Sequence, residues 1–349
     1  MERSERVRMI RDSVGAIAPP GAGLQRVRAL RLDTMGIDRD VWRKIVDLGW
    51  LSLRLDEDRG GLGLGVTELC AIAEELGGAL VLEPVLAVAA MVPLLADDIR
   101  TAVLEGSLIV VPAWRDTVGS AWGSSPLRMS GGTISGQKIL VPSVTAADAF
   151  VLTTTDGAVL VERGASGLSI ELAKTQDGGH SGTLELRDTP CAHLAGDVSA
   201  ALHELSLAHS AYLLGASERA FQITLDYLGV RKQFGRFIGS FQVLAHRAAE
   251  AKIQLALSRA VLDEAVAAVA QNAPPVDQVR TAARAIARVS DTAMLIARES
   301  IQMHGAIGIT DEHDIGLYCR KILSIYNQFG SAGANRARYL ATLAPKDGQ

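Results

Sequence analysis

The sequence predicts an α+β multi-domain chain: a helical domain first, a small β-barrel or sandwich in the middle, and an antiparallel four-helix bundle last. Three observations predict it. Apolar residues recur at three- and four-residue spacing across 1–108. Across 109–196 they collect in short β-rich runs separated by glycine-containing turns. Across 197–345 helical spacing returns in long alanine-rich stretches, the pattern of an antiparallel bundle.

In the first zone the helical period is carried by DVWRKIVDLGWLSLRL and again by TELCAIAEELGGALV. Gly60, Gly61, Gly63 and Gly65 separate them, and Thr67 is placed to cap the second helix. The glycine cluster lacks the Lys-Ser/Thr ending and the preceding strand of a phosphate loop, so a turn between helices is expected.

The middle zone contains LIVVPAW, TISGQKILV, AFVLTTT, AVLVER and GTLELRD, with Gly131-Gly132 and Asp156-Gly157 as hairpin punctuation. In the third zone Asp197 caps a helix expected to reach Val230. A second helix runs from near Phe241 to Gln271 and stops at Pro274-Pro275. A third runs from Val276 to Gln302, a fourth covers Ile315 to Asn327, and a short one follows Ser331.

Composition excludes several functions. The 349 residues are 48% apolar and 21% charged, with a formal net charge of -4, so no nucleic-acid partner is expected. Cys70, Cys191 and Cys319 lie far apart without metal-ligand spacing, which suits a reduced, cytoplasmic protein without a metal. The N-terminus has no apolar core of signal-peptide length. The longest apolar stretch is broken by Glu83, Pro84 and Pro93, short of the about 20 apolar residues of a membrane span. His203, His209 and His246 are scattered along helices and read as packing or surface residues.

Three segments narrow the field further: LGWLSLRLDEDRGGLGLGVTELCAIAEELG, YLGVRKQFGRFIGSFQVLAHRAAEAKIQL and IQMHGAIGITDEHDIGLYCRKI. The pattern RxQFGxxIxxFQ, followed about 60 residues later by QMHGxxGxTxEHD, closely resembles the acyl-CoA dehydrogenase family. The resemblance implies that family's fold and its FAD cofactor. It also implies that Arg231, Phe234, Gln242, Gln302 and Gly305 bind the FAD of a neighbouring subunit. The chemistry suits those roles. A guanidinium fork matches a pyrophosphate, an aromatic ring covers an apolar part of the cofactor, amides meet phosphate or adenine edges, and glycine admits close backbone approach. One departure is Ala306, where the family usually has a second glycine. Glu312-His313-Asp314 is expected to play a structural loop role.

The family's reaction, as the resemblance implies it, removes a proton from the α-carbon of an acyl-CoA while a hydride leaves the β-carbon for the flavin. The proton needs a positioned carboxylate. A gapless count from Gln302 puts Phe329 at one usual glutamate position. Counting back from Arg231 puts Leu205 at the other, with Glu204 adjacent but turned about 100° around the helix. Neither Phe329 nor Leu205 can accept a proton. The family's Thr-Glu and Gly-Ser-Asp stretch near the flavin ring is also altered, to AWRDTVGSAWGSS, with Thr117, Gly119 and Ser120 as remnants.

The chain therefore most resembles the non-catalytic subunit of actinobacterial α2β2 acyl-CoA dehydrogenases. Its homologous partner would bring the base and the acyl pocket, for steroid side-chain or other bulky acyl-CoA thioesters. An electron-transfer flavoprotein or similar acceptor is the implied redox partner. Two alternatives stand beside this expectation: a self-sufficient homotetramer using Glu204, and a non-redox acyl-CoA-binding or structural protein on the same fold.

Overall fold

The computed structural model describes residues 3–19, 24–31, 33, 36–119 and 125–343. Ser120 and residues 344–345 lie outside the described residues. Two compact units are present: Met1–Leu69 with Leu82–Leu205, and Cys70–Val81 with Ser206–Gln349.

The first unit opens with helices α1 (Arg3–Ser13), α2 (Gln25–Leu30) and α3 (Arg39–Asp47), followed by the start of α4 (Val66–Gly78). Helix α3 starts where it does because the Asp38 carboxylate accepts the Asp40 and Val41 N–H groups, at 2.9 and 3.2 Å. It buries Val41, Trp42 and Ile45. The glycine cluster is a packed turn, as expected: a Cβ on Gly61 would meet the Leu55 carbonyl oxygen at 2.0 Å. Thr67 is not the cap of α4, which begins one residue earlier. The Glu68 carboxylate instead accepts the Gly65 N–H at 3.1 Å. Helices α5 (Val85–Met91) and α6 (Asp97–Leu104) follow.

The strands form two four-stranded sheets. One has the order β1 (Val110–Ala113), β4 (Ala149–Thr154), β5 (Gly157–Glu162), β8 (Ala192–Leu194). The other has the order β2 (Met129–Ser130), β3 (Thr133–Pro142), β7 (His180–Pro190), β6 (Leu168–Lys174). Pairing is antiparallel except for β1 with β4, which is parallel from Val110 opposite Ala149. Hairpin punctuation cannot predict that pair, because the chain visits the other sheet between the two strands.

Lys138 on β3 is fully buried. Its ammonium donates to Asp116 Oδ1 at 2.7 Å, Ser125 Oγ at 2.8 Å and Thr153 Oγ1 at 2.9 Å, using all three donors. Burial lowers its pKa, while the hydrogen bond to Asp116 and the charge there oppose the shift.

The second unit takes the rest of α4, most of α7 (Val198–Val230), α8 (Gln242–Ala270), α9 (Pro275–His304), α10 (Ile315–Ile325) and α11 (Ala332–Ala341). Asp197 caps α7 as predicted, accepting from Ser199 and Ala200 at 2.8 and 3.1 Å. Glycine lets α4 and α7 cross almost in backbone contact. A Cβ on Gly77 would lie 2.0 Å from the Tyr212 carbonyl oxygen, and one on Gly215 2.0 Å from that of Glu74. Beside this crossing Arg259 of α8 grips Glu74 through both carboxylate oxygens and reaches Glu218 at 2.9 Å. Helices α8 and α9 run antiparallel, with Arg247 paired to Glu299, Gln254 to Arg288 and Ser258 to Thr292.

Candidate functional site

The register of α8 against α9 decides where the two sequence motifs meet. Arg247 bonds Glu299 at 3.1 Å. Five residues towards the start of α8 lies Gln242, and five towards the end of α9 lies His304, so both come to one end of the helix pair. The end of α7 joins them there. The Tyr227 ring stacks on the His304 ring, centroids 4.5 Å apart and planes at 20°. Four residues on from Tyr227, the Arg231 N–H donates to the Tyr227 carbonyl at 2.9 Å. Arg231, Gln242, Gln302 and Gly305 are exposed at this end.

Between α7 and α8 the chain makes a two-stranded hairpin, β9 (Lys232–Gln233) with β10 (Arg236–Phe237). Phe234 and Gly235 form its turn with φ of +52° and +78°, the combination of a type I′ turn. A phenylalanine in that region is strained, and this one is 90% exposed. Its edge meets Phe241 at 6.2 Å. Arg236 covers the other aromatic, with its guanidinium carbon 4.0 Å from the Phe241 centroid. Strain and exposure together give no folding benefit.

Gly305 has φ +67° and ψ −143°, open to glycine and strained for other residues. Among the described residues, nothing beyond its chain neighbours comes within 4 Å of where its Cβ would stand. The neighbouring Ala306 is not among the left-handed residues, so its methyl group does not strain the backbone. A cleft of about 670 Å³ between α4, α7 and α8, edged by Glu74, Glu218, Arg219 and Lys252, contains none of these residues.

The positions expected for a base are closed. Leu205 and Phe329 are 5% and 2% exposed. Phe329 packs against the His209 ring at 5.3 Å, and its carbonyl accepts from Asn335 Nδ2 at 2.9 Å. Glu204 belongs to the first unit, where both its oxygens accept from Arg54, each at 2.7 Å. Arg54 also donates to the Leu64 carbonyl. Burial alone would lower the Arg54 pKa, but the hydrogen bond and charge of Glu204 outweigh it and the net shift is upward.

Comparison with known proteins identifies the scaffold. The model described as acyl-CoA dehydrogenase, N-terminal domain, matches residues 4–99, and that of the C-terminal domain matches 196–340. Acyl-CoA dehydrogenase IpdE2 of Mycobacterium tuberculosis is 30% identical over 326 residues, 92% of each chain. The chain belongs to the acyl-CoA dehydrogenase family. Members of this family are FAD-dependent oxidoreductases acting on acyl-CoA. Among solved structures, the Tcur3481-Tcur3483 steroid ACAD aligns with a TM-score of 0.88 at 28% identity, covering 97% of this chain and 98% of its own. The ChsE4-ChsE5 complex from Mycobacterium tuberculosis aligns with a TM-score of 0.84 at 27% identity, covering 99% and 98%. Among the described residues no helix is long and apolar enough to cross a membrane.

The exposed end of the second unit fits part of a flavin dinucleotide. It offers a guanidinium, two amides, an open glycine and the N-terminus of a 29-residue helix to an anion, beside an exposed ring. Sequence reading missed Tyr227, His304 and His313 as a group. His313 lies 4.7 Å from His304 and 5.9 Å from Tyr227, ring to ring. The only signal was that Tyr227 precedes one motif while His304 and His313 lie inside the other.

Proposed function

We propose that this chain is the non-catalytic subunit of a heteromeric acyl-CoA dehydrogenase, supplying Arg231, Phe234, Gln242, Gln302 and Gly305 to an FAD held mainly by a homologous partner. The observation that carries this reading is a contrast within one chain. The cofactor-tail residues stand exposed at one end of the second unit, while the positions expected for the base hold a buried leucine and a buried phenylalanine. FAD, when bound, accepts the hydride from the β-carbon of the thioester. This chain's part is to grip the pyrophosphate with Arg231, cover the cofactor with Phe234, and exclude water where the subunits meet.

The first unit supports the same division. Within AWRDTVGSAWGSS, the stretch altered from the family's Thr-Glu and Gly-Ser-Asp near the flavin ring, the chain has Trp114 and Arg115, the indole being 3% exposed. The next residue, Asp116, turns its carboxylate to the buried Lys138. The α-proton then has to be taken by a carboxylate of the partner. Similarity to complexes named for steroid and two-chain assemblies supports a bulky, steroid-side-chain acyl-CoA as substrate and an α2β2 arrangement. An electron-transfer flavoprotein or similar acceptor would reoxidise the flavin. Three cysteines that form no disulfide among the described residues suit the cytoplasm.

The test is co-expression with a family member that carries the glutamate. The pair should purify yellow and oxidise acyl-CoA, while this chain alone should hold little flavin and turn over nothing. Acyl-CoA oxidation by the isolated chain would overturn the proposal.

A further inference from the structure

Tyr227 and His304 have no part in the grip on the cofactor, yet they join its two halves. Tyr227 is the residue whose carbonyl receives the Arg231 N–H at 2.9 Å. His304 is the last residue of α9 and immediately precedes Gly305. Their rings stack at 4.5 Å. Residues far apart in sequence are thereby fixed across one ring-on-ring contact, one turn from the guanidinium on one side and one peptide from the open glycine on the other.

The hydrogen bonds fix how the two histidines are protonated. A ring nitrogen of His304, Nδ1, lies 2.7 Å from the Ser300 carbonyl, which only accepts, so Nδ1 carries the proton. Its Nε2 is buried and has no hydrogen-bond partner among the described residues. In His313 the order is reversed: the Ile315 N–H donates to Nδ1 at 3.2 Å, which leaves the proton on Nε2. His313 is therefore neutral, and burial favours the neutral form of His304 by lowering its pKa. A histidine kept neutral, 4% exposed and with one nitrogen unsatisfied, contributes through its ring and not through charge.

We infer that Tyr227 and His304 are positioning residues that hold Arg231 and Gly305 in register, so that both present to one cofactor tail. This rests on the reading of the exposed end as the FAD-tail site. The two can nevertheless fail separately.

The test uses hydrogen–deuterium exchange on the full chain and flavin content of the complex purified with its partner. Tyr227→Leu should speed exchange across 305–310, on the other element, by about tenfold, and Tyr227→Phe should not. His304→Asn, which keeps a donor for Ser300 but no stacking ring, should loosen 231–238 reciprocally and serves if Tyr227→Leu does not fold. In the complex, flavin content should fall with Tyr227→Leu and be restored by Tyr227→Phe. Unchanged exchange in both segments overturns the inference. So does loosening without loss of flavin, provided Arg231→Ala loses it. If Arg231→Ala keeps its flavin, the cofactor reading fails, and the inference fails with it.

Discussion

Arg54 holds Glu204 by both carboxylate oxygens, Nε to Oε2 and Nη2 to Oε1, each at 2.7 Å. Each carboxylate oxygen a general base would use already accepts from a guanidinium. Glu204→Gln is therefore expected to leave turnover of the assembled enzyme unchanged. It should lower the stability of the chain by about 1–3 kcal/mol, because a partly buried arginine loses a charged acceptor. Steady-state rates and urea midpoints check this. A loss of about 10²–10⁴ in turnover would identify Glu204 as the base.

Phe234 separates binding from folding. It is strained at φ +52° and 90% exposed, so Phe234→Gly relieves the backbone and removes almost no packing. The thermal midpoint should be unchanged or higher, while flavin retained by the complex falls. Calorimetry beside a visible spectrum measures both. A variant that is as yellow as the parent would remove Phe234 from the site.

His304 predicts the sign of a pH effect. Burial lowers its pKa from the ordinary 6.5; the bond to the Ser300 carbonyl opposes this, and a proton on the neighbouring His313 would add to it. The unfolded chain then binds the proton more readily than the folded one, so the stabilisation is complete above about pH 6.5 and lost as pH falls through the folded value. The urea midpoint should drop between pH 7.5 and 5. His304→Phe should show a shallower drop, and equal slopes would refute the assignment.

The buried ammonium of Lys138 makes a double-substitution test. Lys138→Met alone strands the Asp116 carboxylate among buried groups and should cost about 3–5 kcal/mol. Lys138→Met with Asp116→Leu removes both charges and should recover part of that loss. Denaturant midpoints of the three chains decide it, and an additive double variant would show that the pair is not coupled.

Much of this was legible in the sequence where burial imposes a period. The helices α7 to α10 and the strand containing GQKILV follow it, and Asp197 announces its helix by type and place. The strand β6 escaped although Leu168, Ile170 and Leu172 alternate along it; it is short, mostly exposed and buries no residue fully. The hairpin at 232–237 escaped because two residues per strand give no period at all, although Gly235 marks its turn. The placing of Arg231 and Gly305 at one end of the bundle is beyond any periodic reading. It depends on the α8–α9 register and on one ring stack between distant residues, of which only the motifs gave notice. The loop role expected for Glu312-His313-Asp314 agrees with the His313 ring packing beside His304.

Phe329 leaves the family's chemistry hard to regain. A glutamate restored there would enter a space 2% exposed and already shared with the His209 ring. An ancestor could surrender its acid to a companion polypeptide through a single codon. Recovering it would take several concerted changes, so under the proposed division of labour the dependence of one polypeptide on another would work as a ratchet.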